Sequence, residues 1–279
     1  MTAIDANAQA RVWNGSVGAQ WAGQQERMDR MLAGLNEPLF RAAAIGEGDQ
    51  VLDVGCGAGA TTRIAAGLAS RGNVLGADVS APLLERAAAL TGAEGIRNVT
   101  YARVDAQSYP FRAGAYDVVI SRGGVMFFAD HAAAFRNLAR ALRPGGRLVF
   151  VCPLPHGADV EESRVMAAFG ARLRETGAGA GPSADRMAAM TAMASLSDPD
   201  RVRAVLGGYE DVTVDSEAVD TVWGRDAADT VGFLLSQQSA QEVPSPARAA
   251  LEDVFRPYET PDGVRLRSGV WLVTAVRPR

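Results

Sequence analysis

The chain has 279 residues, of which 48% are hydrophobic and 22% are charged, and its net charge is −4. These values are typical of one large globular domain, or of a domain with an insertion, and they disfavour a general nucleic-acid-binding protein. All 28 basic residues are arginine, which excludes a Schiff-base lysine and a P-loop lysine. The 2 cysteines do not make a disulfide framework, and no apolar run is long enough to span a bilayer, so we expect a reducing, cytoplasmic setting.

The first 45 residues are predicted to be helical, because apolar side chains recur there at helical spacing. Trp13, Trp21 and Gln25 combine aromatic and amide groups ahead of the first strand, so they could close over a ligand. An equally good interpretation is that the tryptophans pack this segment onto the rest of the domain.

A glycine-rich turn follows at residues 50–62. Val51, Leu52 and Val54 predict a short buried strand, and a helix is predicted from Thr61 onward. The intervening sequence Gly55-Cys56-Gly57-Ala58-Gly59 joins the two. Such a turn can hold a cofactor, since backbone N–H groups and the positive end of the helix dipole face the ligand. The alternative is a tight turn that needs positive φ angles only.

Further strands are predicted to alternate with helices, and polar side chains stand where each strand ends. Asp78 ends the second strand, Asp105 follows the third, and Ser121-Arg122 end the fourth; a fifth strand covers 147–152. This alternation predicts a parallel sheet, in which ligands bind beyond the carboxyl ends of the strands. Asp78 lies 23 residues after Gly55, close to the spacing at which an acid binds ribose hydroxyls.

The residues 45–152 resemble the class I S-adenosylmethionine-dependent methyltransferases. The resemblance rests on the glycine turn, on Asp78 and Asp105-Ala106, on Tyr116 to Ser121, and on the turn Leu142-Arg143-Pro144-Gly145-Gly146. The tail 270–275 looks like the antiparallel last strand of that fold. The N-terminal Trp/Gln helix is similar to a subgroup that includes the ubiquinone/menaquinone-biosynthesis methyltransferases. The implied fold is α/β, a Rossmann-like, doubly wound sheet of seven mostly parallel strands, with a helical N-terminal segment and a helical lid.

The resemblance also implies roles for individual residues. Backbone at Gly55, Cys56 and Gly57 would hold the methionine part of the cofactor, Asp78 the ribose, and Ser121 would lie near the transferred methyl. The adenine would lie beside Val79, with Asp105 at its amino group and Ala106 at its ring edge. The remaining cofactor-binding residues implied by the resemblance are Trp21, Gln25, Asp53, Leu83 and Arg122. The glycine spacing also fits a nicotinamide fingerprint, and Asp105 and the Pro144-Gly145-Gly146 turn favour S-adenosylmethionine.

The domain organisation is predicted as a helical segment at 1–45, a cofactor-binding core at 46–152, a helical lid at 153–208, and the rest of the core at 209–279. The lid is expected to break at 177–182. Within 209–279 we expect a sixth strand at 211–215, two helices in 226–258 and the last strand. The candidate substrate-binding residues are Trp13, Met126, Phe127, Met166, Phe169 and Met190, since flexible apolar side chains suit an irregular organic ligand. For the lid methionines, packing within the lid is the alternative.

The chain has only 2 histidines. His131 follows Asp130 at the start of a helix, so it is expected at the surface or in a cap. His156 follows the fifth strand, where a general base could stand; an exposed loop histidine is the alternative. Neither lies at metal-ligand spacing, so no metal is predicted.

The sequence therefore predicts an S-adenosylmethionine-dependent methyltransferase that acts on an O, N or C atom of a small, apolar organic molecule. A homodimer is possible, and neither nucleic acid nor membrane is an expected partner. Three alternatives stay open: the same fold and cofactor with a non-methylating reaction such as cyclisation, a nicotinamide-dependent oxidoreductase, and a non-catalytic interaction protein.

Overall fold

The computed structural model of the protein describes residues 6–155, 160–176, 184–238 and 243–279. The expected break at 177–182 lies outside these ranges. Within them, no helix combines the length and the hydropathy that crossing a membrane requires.

One sheet organises the molecule. Its strands are β1 (Gln50–Val54), β2 (Asn73–Asp78), β3 (Val99–Arg103), β4 (Tyr116–Arg122), β5 (Leu142–Pro153), β6 (Glu210–Gly224), β7 (Glu259–Thr260) and β8 (Gly263–Val276). The order across the sheet is β3-β2-β1-β4-β5-β8-β6, and the two-residue β7 pairs with β8. β1 to β5 pair in parallel, whereas β8 runs antiparallel to both β5 and β6. The predicted Rossmann-like sheet with an antiparallel last strand is confirmed.

The helices precede, connect and cover these strands. They are α1 (Ala6–Asn14), α2 (Ser16–Gly23), α3 (Gln25–Met31), α4 (Asn36–Ala43), α5 (Ala60–Leu68), α6 (Ala81–Ala93), α7 (His131–Ala141), α8 (Glu161–Glu175), α9 (Ala184–Met193), α10 (Pro199–Val205), α11 (Ala227–Ser236) and α12 (Ser245–Glu252). Local sequence explains several starts: Asp130, Asp198 and Asp226 each cap a helix through a side-chain oxygen that accepts a backbone N–H.

Two hydrophobic clusters cover the two faces of the parallel sheet. One contains Leu52, Val119 and Phe150 with α7, and the other contains Val51, Ile120 and Val149 with α4 and α5. Consecutive strand residues thus alternate between faces, as the pleat requires. The shared register of β1, β2 and β4 brings their carboxyl ends to one edge, where Val54, Asp78 and Arg122 end their strands.

β6 and β8 are much longer than the sequence predicted. β5 pairs with β8 only as far as Pro153 opposite Val270, whereas β6 and β8 stay paired out to Gly224 opposite Val264. This two-stranded extension, the outer ribbon (218–224 and 264–269), continues past the carboxyl edge of the parallel strands. A separate hydrophobic cluster, the outer cluster, packs on it and contains Val165, Phe169, Leu173, Ala227, Val231, Leu251, Phe255, Val264 and Leu266.

Candidate functional site

The glycine turn between β1 and α5 has the backbone conformation that its sequence requires. Gly55, Gly57 and Gly59 have φ angles of +67°, +54° and +78°. A Cβ atom at Gly55 would lie 2.6 Å from Cα of Gly124, so this position must be glycine for β1 to approach the loop after β4. A Cβ at Gly57 would meet nothing within 4 Å, because Gly57 faces the cavity described below.

The N–H groups at the start of this turn bind within the chain. The N–H groups of Gly55 and Cys56 donate to the carbonyl oxygen of Ala77, at 2.8 and 3.3 Å. The N–H of Gly57 donates to Oδ2 of Asp78, at 2.8 Å. These bonds fix the turn to the end of β2. The expectation that these amides face a ligand is therefore corrected.

Asp53 lies beneath the turn and not in the cavity. Its side chain is completely buried, and Oδ2 accepts hydrogen bonds from Thr61 and Thr62 at 2.7 and 2.6 Å, while Oδ1 has no partner. Burial raises the pKa of Asp53 to about 6, against the lowering effect of the hydrogen bonds from Thr62 and Thr61. Asp53 thus ties the end of β1 to the first turn of α5, which is a positioning role.

Asp78 faces the cavity from the end of β2. Oδ1 accepts the N–H of Ser80 at 2.8 Å and Oδ2 accepts that of Gly57, so two backbone bonds hold the carboxylate in one orientation. Burial raises the pKa of Asp78, and the hydrogen bonds from Ser80 and Gly57 oppose this shift. The carbonyl oxygen of Val79 accepts the side-chain amide of Asn14, which connects α1 to this strand end.

Asp105 and Ala106 continue the same edge after β3. Oδ1 of Asp105 accepts the N–H of Gln107 at 2.9 Å, and Ala106 is buried with its carbonyl bound to Asn137. Both residues line the cavity, as do Val79 and Leu83. Asp78 and Asp105 therefore stand side by side at neighbouring strand ends, as the sequence predicts.

Ser121 and Arg122 are neighbours at the end of β4, but only Arg122 lines the cavity. Ser121 is completely buried, and its hydroxyl donates to the carbonyl of Val54 at 2.7 Å and accepts the N–H groups of Gly124 and Val125. It joins β4 to β1 and does not line the cavity, which corrects its expected place near a transferred group. Arg122 does line the cavity. Its guanidinium donates to Asn36 at 2.7 Å and lies 3.7 Å from Asp29, and burial lowers its pKa.

A cavity of about 480 Å³ opens at this edge of the sheet. Its walls come from the strand ends, from α1 to α3, from α8 and α9, and from the outer ribbon. The candidate residues that line it are Trp13, Trp21, Gly55, Gly57, Asp78, Val79, Leu83, Asp105, Ala106, Arg122, Met126, Phe127 and Met190. Trp13 packs edge-on against Trp21 and Phe127, with ring centroids 5.6 and 5.1 Å away, so the N-terminal helices cover one side.

Several candidate residues lie elsewhere. Cys56 is buried behind the turn, where burial raises the pKa of its thiol. Gln25 bonds to Asp29 and Arg86 outside the cavity. Met166 and Phe169 belong to the outer cluster, and the Phe169 ring lies 5.6 Å from that of Phe255. These two side chains therefore pack against α11, α12 and the outer ribbon, which corrects both their expected place in the cavity and the alternative of packing within the predicted lid at 153–208. His156 lies outside the described residues.

His131 begins α7 directly after the capping residue Asp130, as expected for a residue in a cap, but its side chain is buried and does not lie at the surface. Its Nε2 lies 3.3 Å from the carbonyl of Met126 and 3.2 Å from the hydroxyl of Ser195, and burial lowers its pKa. The helix start at Asp130 was visible in the sequence, whereas the segment around Ser195 that covers the ring comes from a distant part of the chain.

Sequence reasoning missed the cavity wall that the outer ribbon and α8 supply. Glu162 of α8 accepts hydrogen bonds from Thr221, Trp223 and Ser268, and all four residues line the cavity. The one available signal was the spacing of Thr221 and Trp223, which places both on the same face of a strand. The distant Glu162 and Ser268 had no signal, because only the fold brings them together.

The sheet order, the glycine turn and the carboxylates at the ends of β2 and β3 define a Rossmann-like nucleotide-binding architecture. Residues 52–150 match a family model that is described as a methyltransferase domain. This segment is therefore similar to methyltransferase domains in sequence.

Several relatives are similar in sequence over about half of the chain, and a solved structure shares the fold. An uncharacterized protein of Mycobacterium tuberculosis is 39% identical over 132 residues, 47% of each chain. The aklanonic acid methyltransferase DauC of Streptomyces sp. strain C5 is 34% identical over 128 residues, 46% of this chain and 55% of that protein. Nocamycin O-methyltransferase of Saccharothrix syringae is 36% identical over 109 residues, 39% of each chain. The chain spans about half the length of the curated relatives it matches. A phosphoethanolamine N-methyltransferase of Haemonchus contortus, solved with S-adenosyl-L-methionine, shares the fold with a TM-score of 0.59 at 19% identity, over 98% of this chain and 60% of that one.

Proposed function

We propose that this protein is an S-adenosylmethionine-dependent methyltransferase whose acceptor is a small, largely apolar organic molecule. The observation that carries the proposal is the cavity itself. At one end it is lined by Gly55 and Gly57 of the turn and by two strand-end carboxylates, and elsewhere it has mostly apolar and aromatic walls. The methyltransferase-domain match over 52–150 supports the same activity.

The residues that line the cavity fit the proposed cofactor. The open space above Gly57 leaves room for a ligand against the backbone. The oriented carboxylate of Asp78 suits the two hydroxyls of a ribose, and Asp105 with Ala106 suits an adenine edge. Arg122 supplies a buried guanidinium for the carboxylate of the methionine part, since its own acidic neighbour Asp29 is 3.7 Å away.

When bound, S-adenosylmethionine supplies an electrophilic methyl on a positively charged sulfur. The chain's own contribution is then to bind, to orient and to exclude water. The rings of Trp13, Trp21 and Phe127 pack together over the cavity and shield it on the side of the N-terminal helices. The strand-end carboxylates would hold the cofactor, which would leave the side of Met126 and the outer ribbon to the acceptor.

The acceptor is expected to be a natural-product-like ring system. This rests on the apolar cavity walls and on the similarity to an aklanonic acid methyltransferase and a nocamycin O-methyltransferase. The N-terminal Trp helices over the cavity favour the quinone-biosynthesis-like subgroup within the class. An oxygen nucleophile is favoured by the name of the nocamycin relative.

Calorimetric titration with S-adenosylhomocysteine, and separately with NAD, tests the proposal. We expect micromolar binding of S-adenosylhomocysteine by the wild type and weakening of about tenfold or more in Asp78→Asn, because a charged acceptor of ribose hydrogen bonds is lost. Asp130→Asn is the control, since Asp130 caps α7 outside the cavity and asparagine caps equally well. Binding of NAD instead, or of neither ligand, would overturn the methyltransferase assignment.

A further inference from the structure

A single carboxylate stands in the cavity wall far along the chain from the strand-end acids. Oε1 of Glu162 accepts hydrogen bonds from Trp223 Nε1 at 2.8 Å and from Thr221 Oγ1 at 3.1 Å, and Oε2 accepts the hydroxyl of Ser268. We call these four residues the polar corner. Thr221 and Ser268 are buried, and all four line the cavity.

Two of the three groups that donate to Glu162, those of Thr221 and Trp223, have a second acceptor. Thr221 Oγ1 also reaches the carbonyl of Leu266 at 3.2 Å, and Trp223 Nε1 also reaches Thr221 Oγ1 at 3.1 Å. A neutral side chain at position 162 would therefore leave these groups with partners. A carboxylate in a largely apolar wall costs desolvation free energy, which the three neutral donors offset without cancelling its charge.

The carboxylate of Glu162 can accept one further hydrogen bond. An ionised carboxylate offers about four acceptor sites, and the polar corner uses three of them. The remaining site can take a hydrogen bond from a ligand in the cavity. An O–H group is such a donor, and the mainly apolar wall of the cavity fits an uncharged ring compound that carries it.

We infer that Glu162 is a specificity-determining residue that binds a hydroxyl group of the acceptor, so that the substrates are apolar ring compounds that carry a phenolic or enolic hydroxyl. This inference rests on the proposed function, since it names the acceptor of the same cavity. The three donors hold the carboxylate in one orientation and thereby select where on the ring the hydroxyl must lie.

Two ring compounds that differ only in the donor test the inference. Anthraflavic acid, a dihydroxyanthraquinone, and its dimethyl ether are titrated by calorimetry in saturating S-adenosylhomocysteine, at about pH 6 so that the phenol keeps its proton. The proteins are the wild type, Glu162→Gln and Glu161→Gln. Glu161 is the matched control, because it precedes Glu162 in α8 but accepts the backbone N–H of Arg267.

We expect the wild type and Glu161→Gln to bind the phenol about tenfold or more tightly than the ether, as a hydrogen bond to a charged group predicts. Glu162→Gln should lose this preference through weaker phenol binding, with the ether and S-adenosylhomocysteine affinities unchanged within about threefold. Thermal unfolding of each variant separates this result from loss of the fold.

Two results would overturn the inference: an unchanged preference in Glu162→Gln, or no binding of the phenol by a wild type that binds S-adenosylhomocysteine. Failure of the proposed function is a different result, because it is read from the absence of S-adenosylhomocysteine binding in every protein. A phenol preference that depends on Glu162 without cofactor binding would keep the inference and overturn the methyltransferase.

Discussion

At the residue scale, Asp53 holds the glycine turn in place by joining the end of β1 to the start of α5. It is a completely buried carboxylate that bonds to two threonines and has one oxygen without a partner. Its raised pKa means that the folded protein favours the protonated form more than the unfolded chain does. Ionisation of Asp53 at neutral pH therefore lowers the stability of the fold. The hydrogen bonds from Thr61 and Thr62 to this carboxylate hold the first turn of α5 against β1.

This loss of stability on ionisation predicts a pH-dependent effect of Asp53→Asn. The stabilising contribution of Asp53 is fully present below its ordinary pKa of 3.8 and is lost as the pH rises through about 6. Asparagine does not titrate, so the unfolding free energy of the variant relative to the wild type should rise between these pH values, by roughly 3 kcal/mol at most. Urea unfolding of the ligand-free proteins at several pH values measures the difference.

Asp198→Asn is the control for this experiment, because an exposed amide caps a helix as well as an exposed carboxylate does. Parallel pH profiles for the wild type and Asp53→Asn would show that Asp53 has the same pKa in the folded and the unfolded chain, which would contradict the prediction.

Individual site residues differ in how far the sequence could reveal them. Asp78 and Asp105 were predictable at the cavity, because each directly follows a strand and parallel strands end at one edge. Ser121 and Asp53 also stand at strand ends, yet their side chains point into hydrogen bonds with neighbouring backbone and threonines. Strand position fixes where a residue lies, whereas the partner that captures a polar side chain depends on the three-dimensional arrangement.

At the scale of elements, the N-terminal helices α1 and α2 form a cover that few long-range bonds hold. Asn14 donates to the carbonyl of Val79 and accepts the N–H of Ala81, and Ser80 donates to the carbonyl of Trp13. The accompanying hydrophobic cluster has only Val12, Val17 and Ala189 as its buried members. Segments with so few buried contacts open at low free energy.

Ligand binding should therefore slow amide hydrogen exchange selectively in this cover. Gln9, Trp13, Val17 and Trp21 line the cavity, so a bound S-adenosylhomocysteine adds contacts that opening must break. Hydrogen-exchange mass spectrometry with and without the ligand should show protection in α1 and α2. α12 is the internal control, because none of its residues lines this cavity; its Arg248 lines a separate surface groove between α3 and α11. Equal protection of α12, or none in α1 and α2, would contradict this role of the cover.

The elements of the parallel core were predictable because their periodicity and turn residues agree. The outer halves of β6 and β8 were not, since the polar residues Asp215, Ser216 and Glu217 interrupt the apolar pattern of β6. These residues are tolerated because β6 is the edge strand of the sheet and pairs only with β8. Long-range pairing, which no local pattern encodes, thus determined the length of both strands.

At the scale of the whole molecule, two separate hydrophobic clusters support the two halves of the cavity. The cofactor half rests on the strand ends, whose side chains belong to the cluster of Leu52, Phe135 and Leu138. The half in which we propose that the acceptor binds, the acceptor half, rests on α8 and the outer ribbon, which the outer cluster joins. We infer that the two halves respond separately to core substitutions.

Phe169→Ala provides the test of this separation. Removal of the buried ring from the outer cluster should cost roughly 3 to 5 kcal/mol and loosen α8, which carries Glu162. We expect anthraflavic acid to bind about tenfold more weakly or worse, while S-adenosylhomocysteine binds within about threefold of the wild type. Amide exchange should accelerate in α8 and not in α7.

Leu138→Ala is the matched control, because it empties a completely buried site in the core beneath the strand ends. The void that this substitution leaves should weaken S-adenosylhomocysteine binding and accelerate amide exchange in α7, since the strands that carry Asp78 and the glycine turn lose packing contacts. If Phe169→Ala weakened both ligands equally, the outer cluster and the sheet core would form one cooperative unit. Substitutions in the acceptor half would then also weaken cofactor binding. Two separately supported halves would instead allow the acceptor half to change in sequence while cofactor binding is kept.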